Sequence, residues 1–389
     1  MTVYLFAVVL SLALPAFIRG RSIRKNKILY LSVVFGVTFL ITALRSASVG
    51  IDTPLFIDVF KNVHAFGVNE LPRNTQVEKG YVLLCYAFGR LFGAGSYQIM
   101  FALTGGIISF AFARIIYKYS RSVEFSTFLY VACILPATLN VFRQYTALAL
   151  LLLAYDGILD KKIWRAVLFT LLAYCFHMTA ILFLPLVLLA LPKVKWDSRW
   201  VVAAFVSSIA LFIAYAPMVR LITMVFPQYA RFFSSTKFMS TQSISPIYAI
   251  VFLYTIVMMA LLFVDFKRRE LDGKWRMTRR IACASDEFEE QALMFFFMMF
   301  FGYLLTYLIS TKIWIASRFV YYFQFSLLLA LPNAFECVKR LTVSRPLQKF
   351  RKLAHATMIL VVLLLFAFFV YYLNNDPHGI VPYQIFLSD

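Results

Sequence analysis

Charge is what this 389-residue sequence has least of: 14% of it is Asp, Glu, Lys or Arg, while 62% is hydrophobic and the mean hydropathy is +0.80. A soluble domain of this length carries far more charge, so a water-soluble globular fold is excluded. Acidic residues are scarcer still, 18 against 38 basic ones. The five cysteines, Cys85, Cys133, Cys175, Cys283 and Cys337, are scattered, odd in number and free of any CxxC spacing, so neither a disulfide framework nor a zinc site is indicated. The four histidines lie too far apart in sequence to suggest a metal cluster. There is no GxxxxGK[ST], no HExxH, no GxSxG and no dinucleotide fingerprint, so neither a metal nor a soluble cofactor is expected.

What is present is hydrocarbon. Apolar runs of roughly 16 to 22 residues recur from one end to the other, and a bilayer core of ~30 Å takes about 20 helical residues to cross. Lipid offers no partner to an open backbone group, so the spans must be helices. The expected fold is therefore all-α, a polytopic integral membrane protein of about 10–12 transmembrane helices, read as one transmembrane domain over residues 1–389. The opening run MTVYLFAVVLSLALPAFI lacks the basic n-region and small-residue cleavage site of a secretory signal and reads as the first span.

The net charge of +20 would suit nucleic acid, but the placement of the basic residues argues for a membrane instead. Most of them fall in six short clusters beside apolar runs: 19–27, 114–121, 161–165, 193–199, 267–280 and 339–352. By the positive-inside rule these mark the cytoplasmic face. Residues 45–96 then form an outer segment with a short interfacial helix over Tyr81–Phe92, residues 220–245 a second outer segment, and residues 267–289 a cytoplasmic basic loop. Both chain ends fall outside. As one helix, Ile163–Leu191 would reach about 43 Å and invert every later segment. Parity requires a re-entrant hairpin or two short crossings there, with His177 near the bend. Ten firm spans and this hairpin result, and no internal repeat is evident.

The polar residues within or beside this hydrocarbon are the candidates for chemistry. Arg143 and Gln144, in VFRQYTAL, fall at the outer turn between two spans, and Arg318, in WIASRFVYYF, flanks another. A bare guanidinium at such a depth costs ~3 kcal/mol or more, so each needs a carboxylate, a carbonyl or an anion, unless it snorkels to the head groups. Arg45 and Asp52 flank a segment tightened by Gly50 and Pro54. Either Arg45 contacts a phosphate or sugar and Asp52 orients it or acts as base, or the pair is an interfacial arginine and a helix-capping aspartate. Glu78 either balances the dipole of the short helix or is a catalytic carboxylate. His177 either bonds a neighbouring helix or lines a cavity at the hairpin bend. Tyr321 and Tyr322 follow Arg318 by one turn, and aromatics near outer arginines can stack on sugar rings. Arginines gathered on the outer face suit a lipid-linked pyrophosphate, whose phosphates lie at that depth.

Five of these stretches together resemble the EpsG-like, Wzy-type polysaccharide polymerases. They are LRSASVGIDTPLFIDVF, VEKGYVLLCYAFGRLFGAGSYQIM, VFRQYTALALLLLA, CFHMTAILFLPL and SRFVYYF, in family order across roughly residues 40 to 330. One departure is Phe56, where a tyrosine is common in that family. The resemblance implies a metal-independent glycosyltransferase in the bacterial inner membrane with its site facing the periplasm. Such an enzyme moves a growing O-antigen, capsule or exopolysaccharide glycan from undecaprenyl pyrophosphate to the next lipid-linked repeat unit. Its implied partners are the lipid-linked glycan, membrane lipid, and a chain-length regulator and flippase of the same pathway. Carried over residue by residue, Arg143, Arg318, Arg45, Gln144 and Tyr321 bind pyrophosphate or sugar, and Asp52, Glu78 or His177 serves as base. An O-antigen ligase is the alternative enzyme, disfavoured because the largest outer segment holds only His64 as a histidine. A lipid-linked oligosaccharide flippase is the alternative transporter, disfavoured by the lack of paired halves.

Overall fold

The computed structural model describes residues 1–18, 23–68, 77–191, 198–225, 245–271, 287–313, 316–341 and 348–386. Among these residues regular structure is helical, and the one β feature is an antiparallel bridge between Arg45 and Ile385. The all-α, polytopic reading therefore stands. Four helices are long and apolar enough to cross a membrane, Ile23–Ala43, Gln98–Tyr119, Glu289–Ser310 and His355–Asn375. Arg199–Ile213 and Tyr215–Leu221 are apolar and long enough only when taken together, as a broken span or a re-entrant loop bent by 72°, and the described residues also include shorter apolar helices, among them Thr2–Phe17 and Val123–Cys133.

The chain forms two compact units. The first comprises Met1–Lys118, Val123–Val194 and Ala367–Asp389, the second Tyr119–Ser122 and Lys195–Phe366. In the first unit α1 (Thr2–Phe17) packs on α2 (Ile23–Ala43), and α3 (Thr53–Phe66) on α4 (Lys79–Phe92), the last two lying within the 45–96 segment. After α5 (Gln98–Tyr119), the apolar run Phe125–Val141, long enough in sequence for one span, is broken into α6 (Val123–Cys133) and α7 (Leu135–Asn140). Pro136 explains the break, since it has no N–H to give to the carbonyl one turn back and its ring crowds that carbonyl.

Helix α8 (Phe142–Leu159) is the centre of the unit: every residue in it except Arg143 is buried. It packs against α7, α9 (Ile163–Phe176) and the following 3₁₀ helix. A helix enclosed by protein can carry polar groups that lipid would not tolerate, and α8 carries one set at each end.

Beyond α9 the chain turns at His177, whose backbone is extended (φ −155°, ψ 117°), and returns as a 3₁₀ helix over Met178–Ala190. Lys161 Nζ, just before α9, donates to the carbonyl of Leu189 at 3.2 Å, so the two ends of this excursion meet. Residues 163–191 thus form a hairpin of two short limbs, with His177 at the bend.

In the second unit Glu287–Ser310 packs against Ser198–Ile213, Ser317–Phe323 and Leu327–Leu341, and Pro246–Leu271 packs on Leu327–Leu341. The apolar run Ile313–Leu331 is long enough for one span, but its described part is divided into Ser317–Phe323, a 3₁₀ turn at Gln324–Ser326 and a helix that continues to Leu341. Most of the expected outer segment 220–245 (residues 226–244) and of the basic loop 267–289 (residues 272–286) lies outside the described residues.

Candidate functional site

Gly80 lies against the end of α9, where a Cβ would stand 2.7 Å from the carbonyl oxygen of Cys175. Only a residue without a side chain fits so close. The start of α4 is thereby held against the end of α9, and Glu78, two residues before Gly80, meets His177, two residues after Cys175. Glu78 occupies the N-cap of α4 but makes no side-chain cap bond. Its carboxylate is used elsewhere: Oε1 lies 2.8 Å from His177 Nδ1 and accepts the Met178 N–H at 3.2 Å, while Oε2 is ion-paired with Arg143 Nη1.

This cluster is partly enclosed, with side-chain exposures of 12% for Glu78, 14% for Arg143 and 21% for His177. Burial pushes the Glu78 carboxyl up, but the His177 hydrogen bond and the Arg143 charge outweigh it and leave the group below its ordinary value. Glu78 is therefore a fixed anion and a weak base. A carboxylate at Nδ1 favours the tautomer that carries its proton there, which puts the basic lone pair of His177 on Nε2.

Arg143 lies over two rings, 4.5 Å from the Phe56 centroid and 5.8 Å from that of Tyr81. The phenylalanine that departs from the family pattern is thus a stacking surface for the site arginine. Phe56 contacts Phe142 edge to face at 4.9 Å, and Phe142 contacts Phe101 at 5.8 Å. On these last two rings lies Arg45, 4.1 Å from the Phe101 centroid and 5.1 Å from that of Phe142. One aromatic cluster therefore carries two guanidinium groups. They differ in pairing: Arg143 has Glu78, whereas Nε, Nη1 and Nη2 of the fully buried Arg45 have no hydrogen-bond partner among the described residues. Burial pulls the Arg45 pKa down to about 10. Removing a charge from water costs several kcal/mol, of which stacking returns about 2.

The Arg45 main chain, by contrast, is fixed from two sides. Its carbonyl accepts the Gln98 amide at 2.9 Å, and its backbone bridges Ile385. Around it the C-terminal segment 376–386 is laced to the 44–51 segment: Ser46 N–H to Gln384 O (2.9 Å), Gly50 N–H to Gly379 O (2.7 Å), Ile51 N–H to His378 O (3.0 Å) and Phe386 N–H to Leu44 O (3.0 Å). Gly50 has φ +101°, and a Cβ there would meet the Leu139 carbonyl at 2.9 Å, so the segment lies flush on the end of α7. Asn140 closes this junction, accepting the Asp52 N–H at 2.8 Å through Oδ1 while Nδ2 lies 3.2 Å from His378 Nδ1.

Of the residues singled out in sequence, the first unit joins Glu78, Arg143 and His177 in direct contact and sets Arg45 across the same aromatic cluster. Gln144 is buried beside Arg143 in α8. Asp52 precedes α3 but does not cap it, and its carboxylate makes no hydrogen bond or ion pair among the described residues, so the capping role does not apply. Arg318 and Tyr321 are carried by Ser317–Phe323 in the second unit.

Three features escape sequence reading. Asn140 and His378 are ordinary polar residues near an expected turn and in an expected outer tail. The third is at the far end of α8, where the fully buried Asp156 accepts Arg114 Nη2 (2.7 Å), Lys118 Nζ (2.6 Å) and Arg165 Nη2 (3.0 Å). Asp160 shares Lys118 and Arg165. A single Asp near a basic cluster carries no signal of this; only the fold brings Arg114 and Lys118 of α5 and Arg165 of α9 together on α8.

No group of three or more His, Cys, Asp or Glu side chains that could hold a metal ion occurs among the described residues. Compared with known proteins, the chain matches the EpsG family model over residues 28–385. No curated protein and no solved structure matches it. The match spans all five sequence stretches and both units, and the chain belongs to the EpsG family, multi-pass membrane proteins of polysaccharide biosynthesis.

Proposed function

We propose that this protein polymerises undecaprenyl-pyrophosphate-linked repeat units at the outer face of the bacterial inner membrane. The observation that carries the reading is the Glu78–Arg143–His177 cluster at one end of the enclosed helix α8, opposite the end that carries Asp156 and its basic partners. Basic residues mark the cytoplasmic side, so the cluster belongs to the outer side. The glycan carried on the lipid pyrophosphate is the donor, and a hydroxyl on the non-reducing sugar of the next repeat unit is the acceptor. His177 Nε2 takes the hydroxyl proton as the new glycosidic bond forms and the bond to the pyrophosphate breaks. Glu78 orients the ring and balances the imidazolium that results. Guanidinium groups stabilise the charge that develops on the leaving pyrophosphate, a role that needs no metal. Arg318 and Tyr321 contribute to pyrophosphate or sugar binding, Gln144 to sugar binding, and Asp52 is the weakest of the three base candidates because it lies outside the Glu78–His177 pair.

The test is reconstitution of the purified chain with lipid-linked repeat units in the presence of EDTA. A ladder of longer glycans is expected, and Arg143→Ala or His177→Ala should leave single repeat units unextended at normal protein level. Normal ladders from both variants would overturn the assignment. In cells, deletion should accumulate repeat units on the outer leaflet; accumulation on the inner leaflet would indicate a flippase.

A further inference from the structure

The polar set at the far end of α8 holds more cations than its acids neutralise. Asp156 is fully buried, and its two oxygens take three cations: Arg114 Nη2 (2.7 Å) and Arg165 Nη2 (3.0 Å) meet on Oδ2, and Lys118 Nζ (2.6 Å) lies on Oδ1. Asp160 adds a second carboxylate but shares Lys118 and Arg165 with the first, so among the described residues two acids hold three cations. Arg114 is the open member of the set. Its side chain is 37% exposed, Nε and Nη2 both donate to Asp156, and Nη1 makes no bond among the described residues. Lys162, between α8 and α9, is exposed, and its side chain makes no hydrogen bond or ion pair among the described residues.

Hydrocarbon lies beside these charges. From Lys162 onward α9 leaves Trp164, Leu168 and Leu171 exposed at helical spacing, and Phe110, one turn before Arg114 on α5, is exposed as well. An exposed tryptophan beside lysines, at the head of an apolar stripe, marks the depth at which head groups meet acyl chains. We propose that this end of α8 binds an anionic phospholipid, with Arg114 and Lys162 as the headgroup contacts and the exposed face of α9 as the track for the acyl chains. In the orientation proposed above the lipid belongs to the cytoplasmic leaflet. Its phosphodiester carries a fixed negative charge, offers oxygens to the open edge of Arg114 and leaves the tails in the bilayer. A zwitterionic headgroup brings a cation of its own against the same surplus, so the site selects by headgroup charge. Such a site requires only a multi-pass membrane chain and is independent of the polymerase reading.

The experiment reconstitutes the full-length chain in phosphatidylcholine vesicles containing phosphatidylglycerol, with one lipid or the other brominated on its acyl chains. Quenching of tryptophan fluorescence, read against the same chain carrying Trp164→Phe, reports which lipid occupies the α9 face. Wild type is expected to prefer phosphatidylglycerol roughly fivefold or more, the scale of one basic side chain at an anionic surface, and the preference should weaken as salt rises. Arg114→Gln and Lys162→Gln should each bring the ratio down toward one. Lys162→Gln removes no internal contact, so it decides the matter alone should Arg114→Gln fail to fold. Equal quenching by the two lipids in wild type would make this face ordinary boundary surface and overturn the proposal. So would an unchanged ratio in either folded variant, or loss of the preference on adding inorganic phosphate, which would mark a site for a free anion.

Discussion

At the scale of single residues, the site depends on the contact that Gly80 permits. Gly80→Ala places a Cβ against Cys175, forces α4 away from α9 and separates Glu78 from His177. A displacement of ~1 Å can cost about 10²-fold in rate, so glycan extension should fall by roughly that factor while the protein still inserts, as read by chain-length assay beside a membrane blot. Glu78→Gln leaves Arg143 half-enclosed without its anion, a loss of about 3 kcal/mol that should appear as a lowered melting temperature together with lost extension. The pH dependence follows in sign. Glu78 has its pKa lowered on folding, so its stabilisation is complete above the ordinary carboxylate range and is lost only as pH falls through that lowered value. The difference in melting temperature between wild type and Glu78→Gln should hold from neutrality down to about pH 5 and shrink below about pH 4. A gap that closes already at pH 6 would contradict the depressed carboxylate.

At the scale of elements, α8 has two polar ends with different tasks. The Asp156 end is an ion network. Asp156→Asn strands Arg114, leaves Lys118 and Arg165 to Asp160 alone, and should cost about 3–5 kcal/mol of stability, whereas Asn140→Ala, which releases the Asp52 N–H and the contact to His378, should cost about 1–2 kcal/mol. Thermal melts of the two variants in the same detergent check that ranking; a reversed order would mean the Asn140 junction outweighs the ion network. How much of this was legible in sequence varies by element. The hairpin over 163–191 followed from charge parity, because Lys193, Lys195 and Arg199 could not be placed outside without moving every later basic cluster. The break at Ile134 and the segmented helices over 317–341 did not, because hydropathy averages over a window and does not register where a backbone hydrogen bond is interrupted.

At the scale of the whole molecule, the clustering of basic residues is the ground on which the proposed orientation rests. Single cysteines placed in the 114–121 and 161–165 clusters should react only with membrane-permeant reagents, and one placed at Asp376 in the C-terminal segment should react with impermeant reagents as well; the opposite pattern would invert the topology and place the proposed site on the wrong face. In sequence the C-terminal tail reads only as an outer segment. In the fold it pairs with 44–51 and, through His378, with Asn140. A chain stopped after Asn375 should still reach the membrane but lose extension, measured by chain-length assay at matched protein level.

Hydrophobic run length, basic clustering and five short stretches by themselves determined that this is an all-helical, multi-pass membrane protein of a particular family, because the bilayer imposes its thickness and its charge asymmetry on sequence directly. Which arginine is paired, which carboxylate holds the histidine and what anchors the tail were decided only by tertiary structure. Those outcomes turn on contacts between residues 65 to more than 200 positions apart, such as Glu78 with Arg143 and Asn140 with His378, and on side-chain-free approaches such as that of Gly80, for which local sequence carries no period or spacing.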